Sequence, residues 1–138
     1  MNHKDTEAKR KALNELSQRM IGLCIEIHRT LGPGLLESAY EAALAHELPL
    51  AGFAFERQID MPLEYKGVKL DCAYRLDFLI ACELIVELKA VQEVLLVHTA
   101  QLLTYLRLRG KPLGLLINFN VPTLREGIHR VVIGDTLR

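Results

Sequence analysis

The chain has 138 residues, half of them hydrophobic, and its 17 basic and 17 acidic side chains cancel. That length suits one domain, residues 1–138, with a real core, and the charge balance excludes an overall electrostatic signature for nucleic acid or membrane. The opening "MNHKDTEAKRK" is too polar for a signal peptide and no apolar run nears the ~18 residues of a membrane span, so a soluble cytoplasmic protein is expected.

Leu13, Leu16, Met20, Leu23 and Ile27 recur at helical spacing while Arg19, Glu26 and Arg29 fall off that stripe, which predicts an amphipathic helix over roughly Glu7 to Thr30. "LGPG" ends it, and a second helix runs from near Leu35 through "LLESAYEAALAHEL" until Pro49 and Gly52. From Phe53 the period changes to two, with Phe53, Phe55, Ile59 and Met61 alternating with Glu56, Gln58 and Asp60. A Lys66-Gly67 turn then leads to two more strands, "LDCAYRLDFLI" and "LIVELKAV". "LLVHTAQLLTYLRLRG" has a helical stripe and a glycine stop, "LGLLINF" reads as a buried strand and "GIHRVVI" as a short last one. The order predicts an α/β (α+β) fold: helix, helix, three-strand meander, helix, strand, strand, with helices on the faces of a sheet.

Charge is unevenly distributed. From Glu26 to Glu64 seven acidic residues face Arg29 and Arg57, whereas from His98 to Arg138 six Lys and Arg face Glu126 and Asp135, so the last third is locally basic. Cys24, Cys72 and Cys82 are odd in number, lack CxxC spacing and sit among apolar neighbours, the pattern of reduced core thiols.

The stretch "RLDFLIACELIVELKA" places charges inside an apolar run. A turn centred on Cys82 sets Asp77 opposite Glu87 and Arg75 opposite Lys89, all on one face with Leu79 and Ile85, while Leu76, Phe78, Ile80, Leu84, Val86 and Leu88 make the other face wholly apolar. Two carboxylates ~5 Å apart repel unless something positive lies between them. A hard divalent cation such as Mg²⁺ suits them, because it takes carboxylate oxygens, keeps several waters and accepts phosphate. Lys89 on the same face can orient or deprotonate a water, or hold a phosphate. The competing reading is an ion pair of Lys89 with either acid. Pairing across the Lys66-Gly67 turn sets Phe55 against Phe78 and Glu56 against Asp77, which brings Glu56 to the charged face, subject to a bulge at Pro62. His98, Gln101 and Tyr105 share one helix face and can border one cleft.

Asp77 followed by Glu87-Leu88-Lys89 on neighbouring strands resembles the signature of the PD-(D/E)XK nuclease superfamily. Upstream, "GLLESAY" gives Gly34, Glu37 and Tyr40 at the spacing of the GxxExxY proteins, and "VHTAQLLTYL" and "LGLLINFNVPTLREGIHRVV" are similar to that family, so the likeness runs from about Ile21 to Val132. The resemblance implies a restriction-endonuclease-like core of helix, three-strand antiparallel meander, helix and strand, with the first helix as an extra. It implies a Mg²⁺- or Mn²⁺-dependent phosphodiesterase acting on nucleic acid, DNA before RNA. Asp77 and Glu87 would be metal ligands, Lys89 the catalytic lysine, Glu37 an additional acid, and Gln101 the helical polar motif with Tyr105 one turn on. So small a domain covers little duplex, which favours a homodimer, although no segment identifies an interface.

Two other readings compete. A non-catalytic nucleic-acid- or protein-binding module on the same scaffold is favoured by neutral charge and opposed by the intact Asp77, Glu87 and Lys89. A Schiff-base role for Lys89 ranks last, because neighbouring acids raise a lysine pKa. Tyr40 and Tyr105 read as core aromatics with a hydroxyl at the boundary, His28 reads equally as a packing or a functional residue, and His98 and His129 lack zinc-ligand spacing.

Overall fold

The computed structural model describes residues 3–72 and 74–133; Ala73, within one predicted strand, and Asp135 and Arg138 of the basic third lie outside the described residues. Helix α1 (His3–Leu31) begins before the apolar stripe that predicts it, with Asp5 in its first turn complementing the positive end of the helix dipole. Its buried side is Leu13, Met20, Cys24 and Ile27. Gly32 and Gly34 then take positive φ (73° and 95°), the left-handed region that glycine enters without a Cβ clash. The fully buried Tyr40 closes this loop: its hydroxyl donates to the Gly32 carbonyl (2.6 Å) and accepts from the Leu35 N–H (3.1 Å), while its ring stacks on Phe119 at 4.3 Å. That staple positions the start of α2 (Glu37–Leu50), whose first residue is Glu37 and whose last turn contains Pro49. His28 is a packing residue, buried near Phe119 and bonded through Nε2 to the Val121 carbonyl at 2.8 Å.

Strand β1 (Phe55–Asp60) is followed by two short strands, β2 (Glu64–Tyr65) and β3 (Val68–Lys69), then β4 (Arg75–Ile80) and β5 (Leu84–Lys89). Helix α3 (Leu96–Arg109), β6 (Leu113–Asn118), a 3₁₀ turn (Leu124–Gly127) and β7 (Ile128–Val132) complete the described chain. The main sheet has the order β1-β4-β5-β6-β7, antiparallel except for the parallel pair β5 and β6, and α3 supplies the crossover which a parallel pair requires. The expected mixed architecture, including the three-strand meander β1-β4-β5, is therefore present.

The Lys66-Gly67 turn, however, does not join the meander strands. It closes β2 onto β3 in a separate two-stranded sheet, with Lys66 and Gly67 both at positive φ. The Leu70 N–H still bonds the Leu63 carbonyl in that hairpin's register, but the next bond runs from the Met61 N–H to the Tyr74 carbonyl, so two extra residues enter on the second strand. Phe55 therefore pairs with Ile80 instead of Phe78, and Glu56 with Leu79 instead of Asp77.

Helices α1 and α2 cover one face of the sheet, where Met20, Tyr40 and Leu44 meet Phe78, Val86 and Ile117; α3 covers the other, where Leu102, Tyr105 and Leu106 meet Leu79, Ile85 and Leu116. β6 is buried along its whole length because it lies between both layers. Gly114 lets α3 approach: a Cβ there would lie 2.9 Å from Leu102 Cδ1. Of the cysteines only Cys24 is a core thiol. Cys72 falls in the exposed excursion and Cys82 in the exposed β4–β5 turn, so the prediction of three core thiols is corrected.

Candidate active site

The β4–β5 pairing includes Phe78 with Val86 and Ile80 with Leu84, the register that a turn centred on Cys82 predicts. Past Phe78 side chains replace the backbone ladder. The Asp77 N–H donates to Glu87 Oε2 (3.2 Å) and the Leu88 N–H donates to Asp77 Oδ2 (2.8 Å). Backbone donors this deep must find an acceptor, and here two carboxylates supply it, which holds Asp77 and Glu87 side by side where the strands part.

Glu87 is buried, and its Oε1 has no hydrogen-bond partner. Burial above all, then the charge of Asp77 and a hydrogen bond between the two carboxyl groups, pushes the Glu87 pKa up to about 10, against the opposing pull of the Asp77 N–H and of Lys89. Lys89 is half-buried at the end of β5, and among the described residues it forms no ion pair. The predicted alternative, Lys89 bound to one acid, is therefore not the arrangement found. Glu37, at the head of α2, sits within the same field: partial desolvation and then Asp77 raise its pKa, Lys89 opposes them, and Glu41 adds to the rise.

Gln58 completes this side of the site and sequence reasoning passed over it. It lies in β1 between the pairs Arg57 with Phe78 and Ile59 with Leu76, level with Asp77, and its φ is +54°. Its Nε2 donates to Asp77 Oδ1 (3.3 Å) and to Glu41 Oε1, and Glu41 also holds Arg57 at 2.8 Å. The alternation of β4 breaks at the same level: Leu76 packs on the α3 side with Leu79, not with Phe78 and Ile80 as alternation predicts. A left-handed residue in a strand has no signature in the hydrophobic pattern; only the lone glutamine among the acids hinted at it.

On the α3 face, Leu63, Tyr74, Val97, His98, Gln101 and Tyr105 line a cleft of about 370 Å³. The helix face expected to border a single cleft does so. Tyr105 connects it to the carboxylates: its pKa is pushed up to about 12 by burial first, then by Glu87, Asp77 and Tyr74, against a hydrogen bond with Gln101. The His98 Nδ1 accepts the Leu95 N–H (2.9 Å), so in the neutral ring the proton sits on Nε2.

Two predicted members of the charged face stand apart. Glu56 is exposed opposite Leu79, two residues from the partner expected for it, because of the two-residue shift in register. Arg75 turns outward to Asp60 (3.1 Å) instead of lying across from Lys89. Of the basic segment, Arg130 bonds Asn14 of α1 and Arg125 borders α1, on the sheet face opposite α3.

Among the described residues no three His, Cys, Asp or Glu side chains form a protein-built metal cage. Two adjacent carboxylates, one with a buried oxygen lacking a partner, nevertheless fit a hard divalent ion, which is commonly held by one or two carboxylates and completes its shell with water. This donor set holds no sulfur or imidazole, the donors on which most zinc sites are built, so a hard ion suits it better than zinc.

A sheet with helices on both faces and an acidic pair where its central strands part defines a nuclease-like scaffold. The family model of the PD-(D/E)XK nuclease superfamily matches residues 14–131, and the chain belongs to that superfamily. Its members generally use divalent metal ions. Comparison with curated proteins and with solved structures returned no match.

Proposed function

We propose that this protein is a metal-dependent nuclease of the GxxExxY branch, hydrolysing phosphodiester bonds in DNA with Mg²⁺ or Mn²⁺ held by Asp77 and Glu87. The observation that carries the reading is the buried, partnerless Glu87 oxygen beside a second carboxylate, an arrangement that is unfavourable without a cation. Bound there, the ion would supply Lewis-acid polarisation of a phosphoryl oxygen. Lys89, uncommitted to either acid, holds the phosphate or orients the attacking water as a point charge. Glu37 lies on the approach from α2, where a raised pKa suits it to take a proton from water. Gln101 and Tyr105 brace the opposite wall, and Gln58 fixes the Asp77 carboxylate. A homodimer, covering more of the nucleic acid than one small domain can, is part of the proposal.

Lys89→Ala tests it. The variant should fold and bind Mn²⁺ as wild type does, yet cleave a mixed DNA pool at least about 10²-fold more slowly, the scale of losing one electrostatic group that acts on the developing charge. Equal rates for both proteins would assign any cleavage to a contaminant.

A further inference from the structure

The β2–β3 hairpin stands outside the main sheet, and its surface is unusual for so small an excursion. Tyr65 is 60 % exposed, Val68 63 % and Tyr74, just beyond it, 40 %. Tyr65 and Val68 face each other across the hairpin, so they form one exposed apolar patch, the kind of surface that marks an interaction site. Lys66 at the hairpin tip lies over the Tyr65 ring at 5.4 Å, and Lys69 is exposed on β3, across from Glu64. At the base of this excursion, Tyr74 and Leu63 form one wall of the α3 cleft. The facing wall is His98, with its Nε2–H as a donor, and the Gln101–Tyr105 pair.

We propose that this cleft receives one unpaired base of single-stranded DNA, stacked on Tyr74, while Lys66 and Lys69 take phosphates of the same strand. This rests on the nuclease reading and narrows it to a substrate class. A flat π-face against tyrosine and a few polar groups at the rim suit any nucleobase without selecting one. A base within a duplex is stacked on both faces and cannot enter. Tyr105 lines this cleft with Tyr74 and also packs in one cluster with Leu79 and Ile85, each two residues along its strand from Asp77 or Glu87. A base held at Tyr74 therefore anchors the strand beside the carboxylates.

The test is fluorescence anisotropy with a labelled oligothymidylate and a blunt duplex of equal length, in Ca²⁺ to hold cleavage back. Wild type should bind the single strand at least about tenfold more tightly than the duplex, and Tyr74→Ala should lose about tenfold on the single strand alone, with Tyr74→Phe restoring it. The double variant Lys66→Gln, Lys69→Gln should lower the slope of log K against log salt by about 1.4. The Tyr74 backbone carbonyl accepts the Met61 N–H, a bond that every variant keeps. Equal affinity for both oligonucleotides, or indifference to Tyr74→Ala, overturns this assignment and leaves the nuclease reading standing. Binding of neither overturns both, and favours a protein partner for the cleft.

Discussion

Gln58 keeps a φ of +54° inside a strand, a conformation that costs an L-residue about 1–2 kcal/mol, and the bridge from its side chain to Asp77 and Glu41 is what accompanies that strain. Glycine normally weakens a strand relative to alanine by about 0.5–1 kcal/mol. Here the order should invert. Gln58→Gly should be more stable than Gln58→Ala by about 1 kcal/mol in urea unfolding, since only glycine relieves the backbone, while both lose activity because neither holds Asp77. Alanine above glycine would place Gln58 in an ordinary strand conformation. The thiols separate by the same local reasoning. Burial pushes Cys24 up to about 12, so at pH 8 it carries no appreciable thiolate, whereas Cys72 and Cys82 are exposed. Ellman's reagent should label two thiols at once in the native protein and the third only on unfolding; immediate labelling of all three would contradict the packing of α1.

The end of β5 is clamped from the next strand. Asn118, opposite Lys89 and almost fully buried, accepts the Val91 N–H (3.0 Å) and donates to the Val91 carbonyl (2.9 Å), which fixes the chain just past the lysine. Gly127 makes room for that segment: a Cβ there would sit 2.0 Å from the Asn118 carbonyl oxygen. Gly127→Ala should therefore cost about 3 kcal/mol, whereas Gly22→Ala, which meets nothing within 4 Å inside α1, should add about 0.5–1 kcal/mol. Paired melting curves decide it, and a neutral Gly127→Ala would mean the clamp is loose. The elements themselves were legible because long apolar stripes and period-two runs report burial directly. The Asp77–Glu87 pairing was legible too, since a one-residue slip in that hairpin buries charge. What failed lay between Met61 and Tyr74, where both strands are largely exposed and no pattern constrains register; Glu56 was misplaced there. Cys72 and Cys82 look apolar by composition yet are exposed, Cys82 in the β4–β5 turn, and nothing in the run "LGLLINF" marks Asn118 as the residue that bonds Val91.

Across the whole molecule the net charge is zero, so attraction to a polyanion cannot come from a global field and must be concentrated where charge is uncompensated. Lys66, Lys69 and Lys89 are such places, whereas Glu87, buried beside Asp77, attracts a polyanion only through a bound cation, and the cost of holding it without one should be visible as stability. With EDTA at neutral pH the native state must bury a carboxyl group beside Asp77 with one oxygen unpaired, whereas the unfolded chain leaves it ionised in water. Glutamine has the same shape without the charge; its oxygen can accept the Asp77 N–H and its amide can donate to the Asp77 carboxyl group. Glu87→Gln should therefore raise the melting temperature in EDTA by several degrees, equivalent to about 1–2 kcal/mol. Mn²⁺ should reverse the ranking. It binds only the native wild type and stabilises it by mass action, by about 2.7 kcal/mol at a hundredfold excess over its dissociation constant, and stabilises the variant far less. An ion pair with Lys89 demands the opposite signs: loss of Glu87 would strand the lysine, lower the melting temperature, and leave both proteins indifferent to Mn²⁺. Thermal unfolding of the two proteins in EDTA and across a Mn²⁺ titration separates these outcomes, and a less stable Glu87→Gln combined with no metal-induced rise in wild type would remove the metal site from this fold.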